Sequence, residues 1–402
     1  MNPVTRRNFL TTLASLYGVR ILTPLQAQSL HAGRAKRVIH LWMAGGMSHI
    51  DSFAPSKDYN NKIPTNVDGI EISGNFPKIA TRMDDICLIR SLSITQGAHE
   101  EASYLSLTSY AKRGTITHPT LGSWINKLGG VNNKNVPGNV QIGGGLTGSG
   151  WMEPVFAPLI INSPNDGIKN SISNLSSGEF QDRIDLKNEF DSQFPATNKS
   201  VKALDDQYRN ALKLMTSEDL KAFSLNEEDN KTKEFYGNNS FGLGCLLARR
   251  LVEYDVKYVQ VNLGGFDLHT NIDVGMQRQG AMVDQALNAL IIDLKNRGLF
   301  DETLIVLNTE FGRTPKINDD DGRDHHPQAY CALMCGGGIK GGQVYGKMDE
   351  QSNSVVENKC TPNDLNATIA NVLGIDISNV LYSPTKRPFT IADKGKTLPL
   401  FS

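Results

Sequence analysis

The chain of 402 residues has almost no net charge: 41 Lys and Arg stand against 42 Asp and Glu, a formal charge of -1. Without a surplus of either sign there is no long-range field to hold a nucleic acid backbone or an anionic membrane, so an anionic ligand has to be met by local groups. Cysteine is scarce. Cys87, Cys245, Cys331, Cys335 and Cys360 make an odd number with no C-x-x-C spacing, which argues against a disulfide framework and a cysteine zinc site. No internal repeat, low-complexity tract or membrane span beyond the N-terminal segment is present. The glycine-rich stretches at 141–150 and 336–346 lack the strand, lysine and helix context of a nucleotide loop and read as tight turns or a pocket wall.

What is there begins with an address. "TRRNFLTTLASLYG" (5–18) places Arg6 and Arg7 before a short apolar stretch, the order of a twin-arginine export signal. Residues 1–30 are therefore set apart from the fold, and a periplasmic or secreted protein, carried by the twin-arginine machinery, is expected. That route moves folded proteins, which favours a metal acquired in the cytoplasm. The remainder, 31–402, reads as one domain of alternating strands and helices. Short apolar runs at 37–46 and 85–93, a punctuated helix at 99–114, a helix feeding a strand at 244–265, a helix at 282–298, strands at 301–313 and 328–338 and a helix at 361–375 predict a three-layer α/β/α sandwich with a mostly parallel sheet. Residues 163–240 break that rhythm and read as a helical insertion packed beside the sheet.

In open α/β sheets ligands gather at the carboxyl ends of the strands. Those ends here are "AGGMSHID" (44–51), "TQGAHEE" (95–101), "GGFDLHTN" (264–271), "TEFGRTP" (309–315) and "GRDHHP" (322–327). They carry His49, Asp51, His99, Asp267, His269, Glu310, His325 and His326, which include five of the chain's eight histidines. Convergence of independent strand ends points to a common metal or anion site. His118, before Pro119 at a helix start, is at most a supporting residue.

The strings "DETLIVLNTEFGRTP" and "GRDHHPQAYCALMCGGGIKGGQVYG", with "GFDLHTN", "LLARRLVE" and "AHEEASYL" upstream, resemble the exported bacterial family catalogued as domain of unknown function 1501, which is grouped with the alkaline phosphatase and sulfatase superfamily. The resemblance covers nearly all of the chain after the signal. It implies an alkaline phosphatase-like fold and a metal-dependent hydrolase. In that superfamily a strand ending like "DETLIVLNTEFG" supplies an Asp and a His to the metals, which places Glu310 on the aspartate and Phe311 on the histidine. The histidine opening the next strand corresponds to His326, with His325 as the fallback, and the upstream pair to Asp267 and His269. The first-strand aspartate would fall on Ala44 or Gly45 and is absent, with His49 and Asp51 as possible replacements. The nucleophile position falls near His99, which could carry a phosphoryl group or be another ligand.

Asp267, Glu310, His269 and His326 together would make a mixed oxygen and nitrogen shell, suited to zinc or manganese more than to calcium or magnesium. Arg313 and Arg323 are candidates to grip a phosphate or sulfate bidentately, with loop salt bridges as the plainer use, for Arg323 to Asp319 or Asp321. Two functions are expected: a metal-dependent hydrolase of phosphate or sulfate esters, or a non-catalytic member of the same fold that binds an anion, glycan or partner.

Overall fold

The structure is a computed structural model that describes residues 34–401 apart from 147, 170, 172–173 and 194–198. The export-type segment lies outside the described residues. Eight strands form the main sheet: β1 (Arg37–Met43), β2 (Ile86–Leu92), β3 (Asn139–Ile142), β4 (Leu159–Ile161), β5 (Tyr258–Leu263), β6 (Thr303–Asn308), β7 (Tyr330–Cys335) and β8 (Gln343–Tyr345). Their order across the sheet is β8-β2-β7-β6-β1-β5-β3-β4. Val38 of β1 lies level with Tyr258 on one side and Leu304 on the other. Every residue of β1, β6 and β7 is buried, which is why these segments read as unbroken apolar runs rather than as alternating ones. Seven strands share one direction. Only β7 runs against its neighbours β2 and β6.

The longer helices are α1 (His99–Thr108), α2 (Leu121–Gly129), α3 (Ser177–Gln193), α4 (Lys199–Met215), α5 (Ser240–Glu253), α6 (Ile272–Asn296) and α7 (Pro362–Val372). The two-residue period of a strand sends Ile39, Leu41 and Met43 to one face of the sheet, where they join Leu246, Leu247, Leu287 and Leu290 of α5 and α6. Val38, Leu304 and Val306 point the other way and pack with Ala102, Trp124, Leu365 and Ile369 of α1, α2 and α7. Two helical layers thus cover both faces, a three-layer α/β/α architecture.

Element ends follow local chemistry. α7 opens with a reciprocal Thr361 and Asp364 capping box and Pro362 in its first turn. α1 stops at Ser109, held in the left-handed conformation at φ 67, so it is shorter than the expected run to Gly114. α6 starts at Ile272, ten residues before the expected Met282. Gly275 and Gly280 obscure its apolar period, and both sit where the helix is in close contact. A Cβ on Gly275 would come within 2.4 Å of Leu268, and one on Gly280 within 3.3 Å of Asn75.

The stretch after α4 is held to the sandwich by charge. Arg249 of α5 is 1% exposed and reaches Glu228 at 2.8 Å, Glu253 at 2.6 Å and Asp293 of α6 at 2.9 Å. Arg250 adds Glu228 at 2.6 Å, and the Tyr236 hydroxyl donates to Asp293 at 2.9 Å. Removing one member of a buried ion cluster leaves the others uncompensated, at a cost of roughly 3 to 5 kcal/mol. Arg249→Met should therefore lower the free energy of unfolding in urea by about that amount, and a loss below about 1 kcal/mol would show that the cluster does not hold this face together.

Candidate metal centre at the carboxyl edge

Because β7 reverses, the carboxyl end of β6 and the amino end of β7 face the same edge, and the whole connection 309–329 stays there. Within it Gly312–Arg313 pairs antiparallel with His325–His326, His325 opposite Arg313 and His326 opposite Gly312. Successive residues of an extended segment point to opposite sides. The adjacent histidines are thereby separated into different surroundings.

His325 faces a cluster. Its Nε2 lies 3.3 Å from Asp267 Oδ1 and 3.0 Å from His269 Nε2. His269 Nε2 and His99 Nε2 each lie 3.1 Å from the same Asp267 oxygen. The outer nitrogen of each ring is engaged elsewhere: His325 Nδ1 donates to the Gly97 carbonyl at 2.8 Å, His99 Nδ1 to Glu310 Oε1 at 2.7 Å and His269 Nδ1 to Asp324 Oδ1 at 3.2 Å. Those acceptors engage Nδ1 of each ring, so the three Nε2 atoms are left to converge on one carboxylate oxygen, with Arg313 Nη1 3.4 Å from that of His269. His99 Nε2 is buried and off any hydrogen-bonding angle, so it has no hydrogen-bond partner. Lone pairs facing each other at 3.0 Å repel unless a proton or a cation lies between them. The donor atoms of His99, Asp267 and His325 all lie within 4.8 Å of one another. His99, Asp267 and His325 are a donor set that could hold a divalent ion, and His269 Nε2, 3.0 Å from His325 Nε2, flanks it.

The cluster is open to solvent, with Asp267 at 49% and His269 at 43% side-chain exposure, and closed beneath. Phe311 is fully buried and carries the rings of His99 and His325 at 4.8 and 4.6 Å between centroids. Arg313 Nη2 donates to Asp267 Oδ1 at 2.6 Å. Burial works to raise the Asp267 pKa, but the bond to Arg313 and its charge outweigh it and hold the carboxyl well below the usual range. His99 is pushed up, chiefly by its bond to Glu310.

Several expected ligands are placed elsewhere. Glu310 is 1% exposed, and its oxygens accept from the Gly45 amide at 2.8 Å, from His99 and from the Thr309 hydroxyl at 3.0 Å. It lies under His99 and orients it. His326, on the far side of the ribbon, donates through Nε2 to the Asn353 carbonyl at 2.6 Å. His49 donates to the Ser352 carbonyl at 2.7 Å and stacks against His326. Asp51 is buried against Ser48 and Arg323, the latter at 2.8 Å. His49 and Asp51 therefore do not replace the missing first-strand aspartate. Of the two positions where it would fall, Ala44 and Gly45, the second has φ 109, and a Cβ there would meet Asp267 N at 2.6 Å; at the next residue, Gly46, φ is 66 and a Cβ would meet the Phe311 ring at 2.5 Å.

Nor is either arginine free to grip an anion. Arg313 is fully buried and donates to the carbonyls of Gly45, Gly46 and Arg323 as well as to Asp267. Arg323 pairs with Asp51, not with Asp319 or Asp321, and donates to the carbonyls of Thr314 and Pro315. Three contributors escaped the sequence reading: the Gly97 carbonyl, the Phe311 floor and Asp324. Only Asp324 had left a signal, as the aspartate of "GRDHHP".

The chain belongs to the family described as protein of unknown function (DUF1501), whose model matches residues 35–400. No curated protein matches it. Among solved structures it is similar to the lipoteichoic acid synthase LtaP from Listeria monocytogenes, at 10% identity over 92% of this chain and 79% of that one with a TM-score of 0.40. It is similar also to a mutant of TAB5 alkaline phosphatase with magnesium bound, at 13% identity, 86% and 99% coverage and a TM-score of 0.40. A third is the C-terminal periplasmic domain of EcEptC from Escherichia coli in complex with zinc, at 10% identity, 90% and 87% coverage and a TM-score of 0.41.

Two histidines near this edge have a consequence for stability. His40 lies between the Tyr258 hydroxyl and the Asn308 amide oxygen, each at 2.6 Å, and burial pushes both His40 and His49 from 6.5 down to about 4. The unfolded chain protonates these rings first. Their contribution is fully present above about pH 6.5 and is lost as pH falls towards 4, by roughly 2 kcal/mol for each ring at about pH 5. His99 acts in the opposite sense, so a comparison within the protein is needed. Urea unfolding at about pH 7 and pH 5 should show a larger acid loss for the wild type than for a His40→Gln/His49→Gln variant, and equal losses would contradict the assignment.

Proposed function

We propose that this protein is an exported metal-dependent hydrolase of phosphate or sulfate esters, with a divalent ion held by His99, His269, His325 and Asp267. The observation that carries the reading is the convergence of three imidazole Nε2 atoms on one carboxylate oxygen, one of them a buried nitrogen with no hydrogen-bond partner. Three nitrogens and one oxygen suit zinc or manganese better than magnesium or calcium. A divalent ion there supplies Lewis acidity, which polarises an ester oxygen and acidifies water. Hydrolysis adds the oxygen of water to phosphorus or sulfur, breaks the bond to the ester oxygen and sends a proton to the departing alcohol.

The rest of the work falls to the chain. Glu310, Asp324 and the Gly97 carbonyl orient the three rings. Arg313 keeps Asp267 ionised, and Phe311 keeps water out from below. A nucleophilic His99 would have to turn its Nε2 towards substrate, whereas that atom faces Asp267 at 3.1 Å. The reading therefore takes His99 as a ligand and uses no covalent intermediate on it. Export rests on the Arg6 and Arg7 pair before "NFL"; among the described residues no helix is long and apolar enough to cross a membrane. The second reading, a metal-containing binder without turnover, is favoured by one observation, the engagement of both arginines in internal bonds.

Purified protein should carry zinc or manganese, and chromogenic phosphate and sulfate esters should be hydrolysed only while the metal is present. His325→Ala should lose metal and turnover together, whereas His326→Ala should keep its metal. Full metal content without turnover of any ester would leave the binding reading in place of the hydrolase. For export, Arg6→Lys/Arg7→Lys should retain the protein in the cytoplasm on cell fractionation, and unchanged export would remove the twin-arginine assignment.

A further inference from the structure

We infer that the site selects tetrahedral esters bearing a single negative charge, phosphodiesters or sulfate monoesters, and disfavours the dianion of a phosphate monoester. The inference rests on the metal reading above and goes beyond it in naming the charge of the ligand. The arginines of the site and the lysine beside Glu100 are already neutralised or committed. Arg313 donates to Asp267 and three carbonyls, and Arg323 to Asp51 and two carbonyls. Lys112 pairs with Glu100 in the first turn of α1. The positions expected to hold a second ion are occupied by hydrogen bonds: Glu310 under His99, Asp51 on Arg323, His326 on Asn353.

The rim, by contrast, is acidic. Glu100 and Glu101 follow His99 directly. Asp324 binds His269. The turn carrying Asp319, Asp320 and Asp321 is folded onto residues 269–272: Asn318 donates to the His269 carbonyl at 3.1 Å, and the Asp320 and Asp321 carbonyls accept from the amides of Asn271 and Ile272 at 3.1 and 2.9 Å. The divalent ion and Arg313 stand against the carboxylates of Asp267 and Glu310, which leaves a single positive charge. A monoanion neutralises it, and the second charge of a dianion faces a rim on which Glu101, Asp319, Asp320 and Asp321 outnumber Lys316. At an effective dielectric constant near 20, one such repulsion over several ångströms amounts to about tenfold or more in affinity.

Calorimetric binding to the zinc-loaded full protein tests this without requiring turnover. The probes are phenylphosphonate at alkaline pH, where it is a dianion, its monomethyl ester, and methyl sulfate. At least one monoanion should bind about tenfold or more tightly than phenylphosphonate, and which one does so separates phosphodiester from sulfate ester chemistry. Asp319→Asn/Asp320→Asn removes two exposed charges whose side chains make no bond in the site, and should narrow that ratio several-fold while zinc binding is kept. Equal or tighter binding of the dianion, no binding of either monoanion, or a ratio unmoved by the double substitution would each overturn the inference. A protein that binds monoanions selectively but hydrolyses none would overturn the hydrolase reading alone.

Discussion

Three imidazoles whose outer nitrogens are engaged with Glu310, Asp324 and the Gly97 carbonyl turn their Nε2 atoms towards a single oxygen of Asp267. Two of those nitrogens, on His269 and His325, face each other at 3.0 Å and repel unless a proton or a cation lies between them. The surroundings hold the cluster in place: Phe311 packs under His99 and His325, Glu310 is buried beneath His99, and Arg313 ties Asp267 to the turn at Gly45 and Gly46. A scaffold that holds its ligands this way before any ion binds avoids the ordering cost at the moment of binding.

The fold supplies the edge on which this happens. Parallel strands deliver 44–51, 95–101 and 264–271 to one side, and the single reversal at β7 adds both ends of the connection 309–329. The price is a crowded turn, where no side chain fits at Gly45, Gly46 or Gly312 without meeting Asp267, Phe311 or His49. At Gly45, one of the two positions where the first-strand aspartate would fall, this crowding excludes it. A carboxylate at Gly45 would collide with the backbone of the residue that now supplies the cluster's own oxygen.

The layered α/β architecture and the edge that carries the site were legible because buried strands are written as apolar runs and because histidine is rare in this chain. The roles of individual residues were not. Whether His325 or His326 faces the cluster depends on which side of a two-residue ribbon each lies, and adjacent letters hold no trace of that. Glu310 has the right chemistry for a ligand, and only its bonds to Gly45, Thr309 and His99 show it turned inward. Arg323 was weighed against nearby aspartates, yet its partner, Asp51, lies 272 residues away in the chain. Long-range pairing of that kind is decided by the packed fold and not by local pattern.

The most direct measurement is anomalous diffraction at the zinc edge from crystals of the full protein grown with zinc. The account predicts one strong anomalous peak bounded by His99 Nε2, His269 Nε2, His325 Nε2 and a carboxylate oxygen of Asp267, with Glu310 and His326 keeping their bonds to Gly45 and Asn353. A peak coordinated by Glu310 or His326, a second ion of equal strength beside the first, or no peak among the three imidazoles would contradict it.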